Sequence, residues 1–511
     1  MTGILGKVPG QLARKFSLNN VNGADSIMSL PLLGSSGYTT ARNLQSRHER
    51  SNNTGSFLHK LDLNQRSFFW GHRSGTKYTV MVFTLNSKKP LSPDLIHQAM
   101  IHWQRKSPCF QIVIKERERD LWFYGPKYCD VDFKVVKQGT PFEEVLDECS
   151  GRFDEANGPL WRSRLLLEKV NDLRCRDLEV EKQYPHQCHL VLCTHHSVVD
   201  GATIFPMVQP ALDIIDNLIE GKKIDESLAG VFISNEESTK LYAKAKERLI
   251  SNPERLETLR DLTLRCHKPP ILLKRFPRPE VANPSTKHLF MEMDQPTIEK
   301  FIEKCRLAGV TLGSGLQMVV NTALVELVQE VGVSEESYEM STHMVVDMRR
   351  YFRTRELPIH GCFVKAPVSF ITLDKRVRRN FWNNCQALHE INLDILRNKQ
   401  VFEQEVAREM FLETLPPEKF FENPPVATRD YGFNNVSQMH KLMPGRGKHI
   451  QVTNFAGLNG LHRCPLPFMF VFHKYRGFHN AEISYASDWL TEENAMTISE
   501  KVKSLLENFS R

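Results

Sequence analysis

Two adjacent histidines followed by an Asp-Gly pair mark the stretch of this 511-residue chain best suited to chemistry: Thr194-His195-His196-Ser197-Val198-Val199-Asp200-Gly201. An imidazole whose ordinary pKa lies near 6.5 can take a proton from a nucleophile at neutral pH and return it later, a service worth ~10²–10⁴ in rate. The apolar run Leu190–Thr194 reads as a strand, and Ile204, Met207, Val208, Leu212, Ile214, Ile215 and Leu218 recur at helical spacing after Gly201. A strand end holds a side chain rigidly, and the tight polar turn behind it aims that side chain toward a cavity. Gly201 lacks the Cβ that would block close approach of substrate or backbone there.

Cys188, His189, Cys193, His195 and His196 include the residue types that bind zinc. On a strand, however, Cys188 and Cys193 face opposite ways, and there is no HExxH helix, so no metal site is expected. Pro444-Gly445-Arg446-Gly447-Lys448 combines glycines with two cations, a pattern that can cradle phosphates through Arg446 and Lys448 and equally describes an exposed basic turn.

The elements that must position these groups alternate between strand and helix. Order is expected from residue 57 onward, with an aromatic cluster at Phe68, Phe69 and Trp70. Strand-like runs cover 78–85, 110–115, 121–124 and 160–167, and a helix covers 93–105. Pro269, Pro270, Pro277, Pro279 and Pro284 exclude regular structure from 267–287, which reads as an extended crossover linker. Residues 57–266 then form an N-terminal lobe and 288–511 a C-terminal lobe. The latter has helices at 296–308, 312–331 and 493–509 and strands at 343–348, 362–370, 468–472 and 482–485. The reading is α/β, in two lobes.

Composition narrows the class. Charged residues make up 25% and hydrophobic residues 41%, ordinary for a globular chain. Of the net charge of +7, +4 sits in residues 1–56, where six basic side chains face two acidic ones; this segment reads as a disordered tail or a transit segment. No basic stripe with interleaved aromatics is present, so no nucleic-acid partner is expected. The 11 cysteines are scattered without paired spacing, and no apolar run reaches the ~20 residues of a membrane span. A cytoplasmic monomer is the expectation, with mitochondrial residence as the alternative.

The HHxxxDG stretch resembles the signature of CoA-dependent acyltransferases, condensation domains and alcohol O-acyltransferases. Other segments match in order: Arg105-Lys106-Ser107-Pro108, Gly158-Pro159-Leu160-Trp161-Arg162, Gly309-Val310-Thr311, Val346-Asp347-Met348-Arg349, the Pro358–Gly361 segment, and Thr453-Asn454-Phe455-Ala456-Gly457. The resemblance implies a two-lobe chloramphenicol-acetyltransferase-like sandwich with the active-site channel between the lobes. It implies His196 as general base, His195 in support, and Asp200 shaping the site from behind through an arginine. An unpaired buried carboxylate is costly, which makes Arg349 the expected partner, with Arg162 and Arg350 as competitors. Thr453 is expected to donate to the oxyanion of a tetrahedral intermediate, with Asn454 and Gly457 either supporting it or forming a plain turn. The DFGWG motif of the plant branch is absent, and Cys362 stands where an asparagine is common.

Ser197 lacks a G-x-S-x-G elbow and, next to His196 on an extended segment, faces away from it. The resemblance implies transfer of an acyl group from acyl-CoA, as co-substrate, to the hydroxyl or amine of a small-molecule or lipid acceptor, and the Ser197 reading makes it a direct transfer with no acyl-enzyme; no bound cofactor is expected. The alternatives are a non-catalytic CoA- or lipid-binding relative and a condensation enzyme fed by a carrier-protein thioester.

Overall fold

The computed structural model describes residues 55–266, 268–353, 359–412 and 429–511. The expected tail lies almost entirely outside these, as does Pro358.

Two mixed sheets organise the molecule. The first runs Ile450–Asn459, Tyr78–Ser87, His186–His195, Trp161–Leu166, Phe133–Val135. The second runs Val368–Asp374, Ser337–Met344, Tyr431–Val436, Phe468–Tyr475, Phe478–Ala486, Thr286–Glu292. Tyr78–Ser87 is buried at all ten positions, because it is central and covered on both faces. It pairs antiparallel with His186–His195, setting Tyr78 opposite His195. The Gly201–Ile219 helix then buries Ile204, Phe205, Met207, Val208, Leu212 and Ile215 in the same core. In the second lobe, Leu312–Gln329 is buried on nearly every side, which explains its unbroken apolar run.

The lobes do not divide the chain at one point. Ile450–Asn459, late in sequence, completes the first sheet through a full-length pairing with Tyr78–Ser87. Conversely, Glu236–Ser251 and Pro253–Cys266, early in sequence, pack with the Gln400–Leu412 helix on the second lobe, in a core that includes Leu249, Phe352 and Phe402. The proline-rich segment is less extended than expected. Its Ile271–Lys274 forms a single 3-10 turn that buries Ile271 and Leu272 in the second core, and the strand after it begins at Thr286. Proline fixes φ near the value such a turn needs, so density of proline did not exclude the turn.

Among the described residues no single helix is long and apolar enough to cross a membrane.

Candidate active site

His195 ends its strand with its backbone N–H on the Leu160 carbonyl, and its own carbonyl accepts Val198 N–H, which starts the turn. The turn throws the two imidazoles into different surroundings. His195 is wholly buried beside Phe69, His72 and Phe153. Its Nδ1 accepts Ser197 N–H at 3.2 Å, so its hydrogen sits on Nε2. Burial, with His72 nearby, holds its pKa far below the usual range, and it stays neutral. It is a packing residue.

His196 keeps part of its surface open to solvent. Its Nδ1 lies 2.9 Å from the Val199 carbonyl. A carbonyl only accepts, so Nδ1 carries the hydrogen and Nε2 holds the free lone pair. Phe68, from the Leu63–Arg73 helix, stacks on the ring with centroids 4.0 Å apart and planes 23° from parallel. Cys362 Sγ stands 3.8 Å from Nδ1, and burial pushes its thiol far above its ordinary pKa, leaving it uncharged. Burial also lowers the His196 pKa, opposed by the Val199 carbonyl and by Asp200 and aided by Lys77. The ring is thus fixed in orientation, fixed in tautomer and neutral at pH 7.

Asp200 points the other way. Its Oδ1 caps the following helix at Thr203 N–H, 3.0 Å away, and the carboxylate receives Arg349 Nη1 at 2.8 Å, Arg349 Nη2 at 3.1 Å and Phe363 N–H at 2.7 Å. Arg349 also donates to Asp347, Thr203 Oγ1 and the carbonyls of Ile359 and Gly361. Every group in this buried knot is satisfied, which is the condition for a buried ion pair to be tolerated. It ties the turn bearing His196 to the second lobe. Gly361 is required there: its φ is +146°, and a Cβ would sit 2.4 Å from the Phe363 ring. Arg162 takes no part, donating instead to the carbonyls of Glu148, Cys149 and Arg152.

Several expectations are not met by the geometry. Thr453 lies in the middle of Ile450–Asn459, beside the Thr84–Leu85 level of its partner strand. That is six residues from Tyr78, or ~20 Å along the strand from the His195 end. Its hydroxyl donates to Asn86 Oδ1 at 2.6 Å. Asn454 donates to the Arg174 carbonyl at 3.1 Å, and Gly457 pairs with Met81; both belong to a buried strand rather than a turn. Gly201 does not face a substrate space, since a Cβ there would meet Phe205 Cε2 at 2.9 Å. Lys448 is exposed and ion-paired with Glu220, while Arg446 is exposed on the same turn, its backbone held by Gln209. The Ser197 hydroxyl, by contrast, lies as expected away from His196: it is fully buried and donates to the Gln65 backbone carbonyl at 2.7 Å. His189 has both ring nitrogens engaged, by Val170 N–H at 3.0 Å and the Thr84 hydroxyl at 3.2 Å.

Phe68 and Cys362 flank the His196 ring, an approach that the sequence alone does not show. Phe68 sits in the aromatic cluster noted above, but nothing local shows which ring meets the imidazole. Lys77, from the first lobe, lies with its Nζ 5.4 Å from the Phe68 ring centroid. His343, Glu405 and Arg408 come from the second lobe, and their charges and that of Lys77 influence one another across the gap between elements. These four and His196 each retain partial exposure although burial is the dominant influence on Lys77, His196 and His343.

No protein-family model matches the sequence, and no curated protein matches it. Solved structures match over nearly the whole chain. The condensation domain of the monacolin K polyketide synthase MokA is 14% identical with a TM-score of 0.61, covering 89% of this chain and 98% of that one. The trichothecene 15-O-acetyltransferase TRI3 of Fusarium sporotrichioides is 12% identical with a TM-score of 0.66, covering 90% and 97%. Polyketide synthase associated protein 5 of Mycobacterium tuberculosis is 13% identical with a TM-score of 0.59, covering 89% and 99%. At these identities the likeness is one of fold: the chain has the two-lobe, chloramphenicol-acetyltransferase-like α/β architecture seen in these solved structures.

Proposed function

We propose that the chain is an acyltransferase that moves an acyl group from acyl-CoA to the hydroxyl, or the amine, of an acceptor, with His196 as general base. The observation that carries this reading is the state of one ring. Its Nδ1–H is committed to the Val199 carbonyl, so Nε2 is the free base, and Phe68 holds the plane of a ring that stays partly exposed. Nε2 takes the acceptor's proton as its oxygen or nitrogen attacks the thioester carbonyl. The tetrahedral intermediate collapses by breaking the C–S bond, and the proton on Nε2 passes to the departing sulfur, giving the ester or amide and free CoA–SH. Asp200, turned away and saturated by Arg349, holds the turn and takes no proton. No acyl-enzyme is required, because Ser197 is spent on a backbone carbonyl and the buried Cys362 thiol stays protonated.

The test is release of free thiol from a panel of acyl-CoAs offered with alcohols and amines. Acceptor-dependent release supports the reading; none across the panel, with the protein folded, contradicts it. A second reading, in which the thioester is carried by a protein rather than by CoA, is favoured by the condensation domains among the structural neighbours. It predicts turnover only with an acylated carrier.

A further inference from the structure

We propose that Gln65, paired amide to amide with Asn235, is a positioning residue for His196: the pair holds the Phe68 ring and the Cys362 segment against the imidazole. The catalytic consequence rests on His196 being the base, whereas the clasp itself does not.

Three contacts define the place of the His196 ring, and Gln65 reaches the element behind each. The turn anchors Nδ1 at Val199, and its Ser197 hydroxyl donates to the Gln65 carbonyl at 2.7 Å. The stacked ring is Phe68, which follows Gln65 by three positions on the Leu63–Arg73 helix and so shares its side of the helix. The thiol 3.8 Å from Nδ1 belongs to Cys362, whose carbonyl accepts Gln65 Nε2 at 3.4 Å. Neighbours of Gln65 grip the same second-lobe segment. Asn64 Nδ2 donates to the Val364 carbonyl at 2.9 Å, and Lys365 Nζ lies 3.5 Å from Asp62 Oδ2.

The amide that does this is itself fixed. Gln65 Nε2 donates to Asn235 Oδ1 at 3.2 Å while Asn235 Nδ2 donates back to Gln65 Oε1 at 2.8 Å, closing a ring of two amides. The other Asn235 N–H goes to the Lys60 carbonyl at 2.9 Å, and Gln65 Oε1 also accepts Asp62 N–H at 2.9 Å. All four amide hydrogens are thereby used. Both side chains are buried, Gln65 at 1% exposure and Asn235 at 6%. An apolar pair would fill such a place without losing hydrogen bonds to water; a fully satisfied polar pair differs in tolerating a single arrangement. Asn235 is also diverted from a local use. It occupies the N-cap of Glu236–Ser251, where asparagine is among the favoured residues, yet its side chain makes no capping hydrogen bond. A helix that packs on the second lobe thus sends its capping amide to the helix that carries Phe68.

Alkylation of cysteines by N-ethylmaleimide in the native full-length protein, mapped by peptide mass spectrometry, reads the clasp without reference to activity. Cys362 is buried, as are Cys305 and Cys385 in the second core, which serve as standards of global folding. Gln65→Met and Asn235→Leu keep the side-chain size and remove the amide pairing. In each, Cys362 should react at least ~10-fold faster while Cys305 and Cys385 do not. Release of CoA thiol by the same variants should fall at least ~10-fold in kcat with KM little changed, because the loss lies in the aim of the base rather than in binding. Protection of Cys362 equal to wild type in both variants overturns the proposal, whatever turnover does. A freed Cys362 with kcat unchanged also overturns it, since the pair would then be structural only. Exposure of all three cysteines in both variants does the same, since the pair would then support the whole fold. A wild type that releases no thiol with any acyl-CoA and acceptor, while the variants free Cys362, defeats the acyl-transfer reading and supports the clasp.

Discussion

Arg349 grips both oxygens of Asp200, at 2.8 and 3.1 Å, from the opposite lobe. The carboxylate that follows the histidine pair is therefore a structural tie between the lobes, placed to hold the turn that aims His196.

Asp200→Asn keeps the helix cap, because asparagine caps as well as aspartate. It leaves Arg349 buried with Asp347 as its one acidic partner, and breaking a buried pair from one side costs about 3–5 kcal/mol. Denaturant unfolding should show a loss of that order together with lost activity. A midpoint equal to wild type would remove the tie.

Phe68→Ala removes the ring stacked on His196 at 4.0 Å and leaves its Val199 anchor in place. Small misplacements of catalytic groups cost on the order of 10²-fold, so kcat/KM should drop by about that factor while the fold survives. Unchanged kinetics in a folded Phe68→Ala protein would mean that the ring's orientation is set elsewhere.

Thr453→Val is expected to do the opposite. It leaves Asn86 Oδ1 without its donor, at a cost of about 1–3 kcal/mol, while turnover by folded protein stays near wild type. A drop of 10²-fold in kcat at unchanged stability would return Thr453 to the reacting centre.

Acid should unfold the chain early. Burial lowers the pKa of His72 to about 3 and those of His189 and His360 to about 4. Above ~6.5 these rings are neutral whether the chain is folded or not, and their contribution is intact. Below that value the unfolded chain binds protons that the folded chain refuses, so stability falls as pH falls toward 4. Each such histidine contributes a slope approaching ~1.4 kcal/mol per pH unit. Urea midpoints at pH 7 and pH 5 measure this; equal midpoints would contradict it.

These outcomes separate what the sequence shows from what only folding assembles. The strand, turn and helix around His196 were legible because their apolar periods switch at a single point. The Asp200–Arg349 pair was legible because a buried carboxylate demands a cation. Ile450–Asn459 was not, since it is buried on both faces and so lacks alternation, while Asn454 and Gly457 inside it imitate a turn. Glu236–Ser251 and Pro253–Cys266 show mostly charged surface and take their stability from the Gln400–Leu412 helix. Phe68 and Cys362 come from segments about 300 residues apart, and no local pattern announces that both meet the His196 ring.

The pH dependence of turnover follows from the same ring. Its pKa is lowered, so kcat/KM should be level near pH 7 and decline only as pH drops through a value below 6.5.

Release of CoA thiol by His196→Ala, compared with wild type for any productive acyl-CoA and acceptor pair, tests the base most directly. Loss of at least ~10²-fold in turnover with an unchanged melting temperature is the predicted result. Turnover equal to wild type in a folded His196→Ala protein would contradict it.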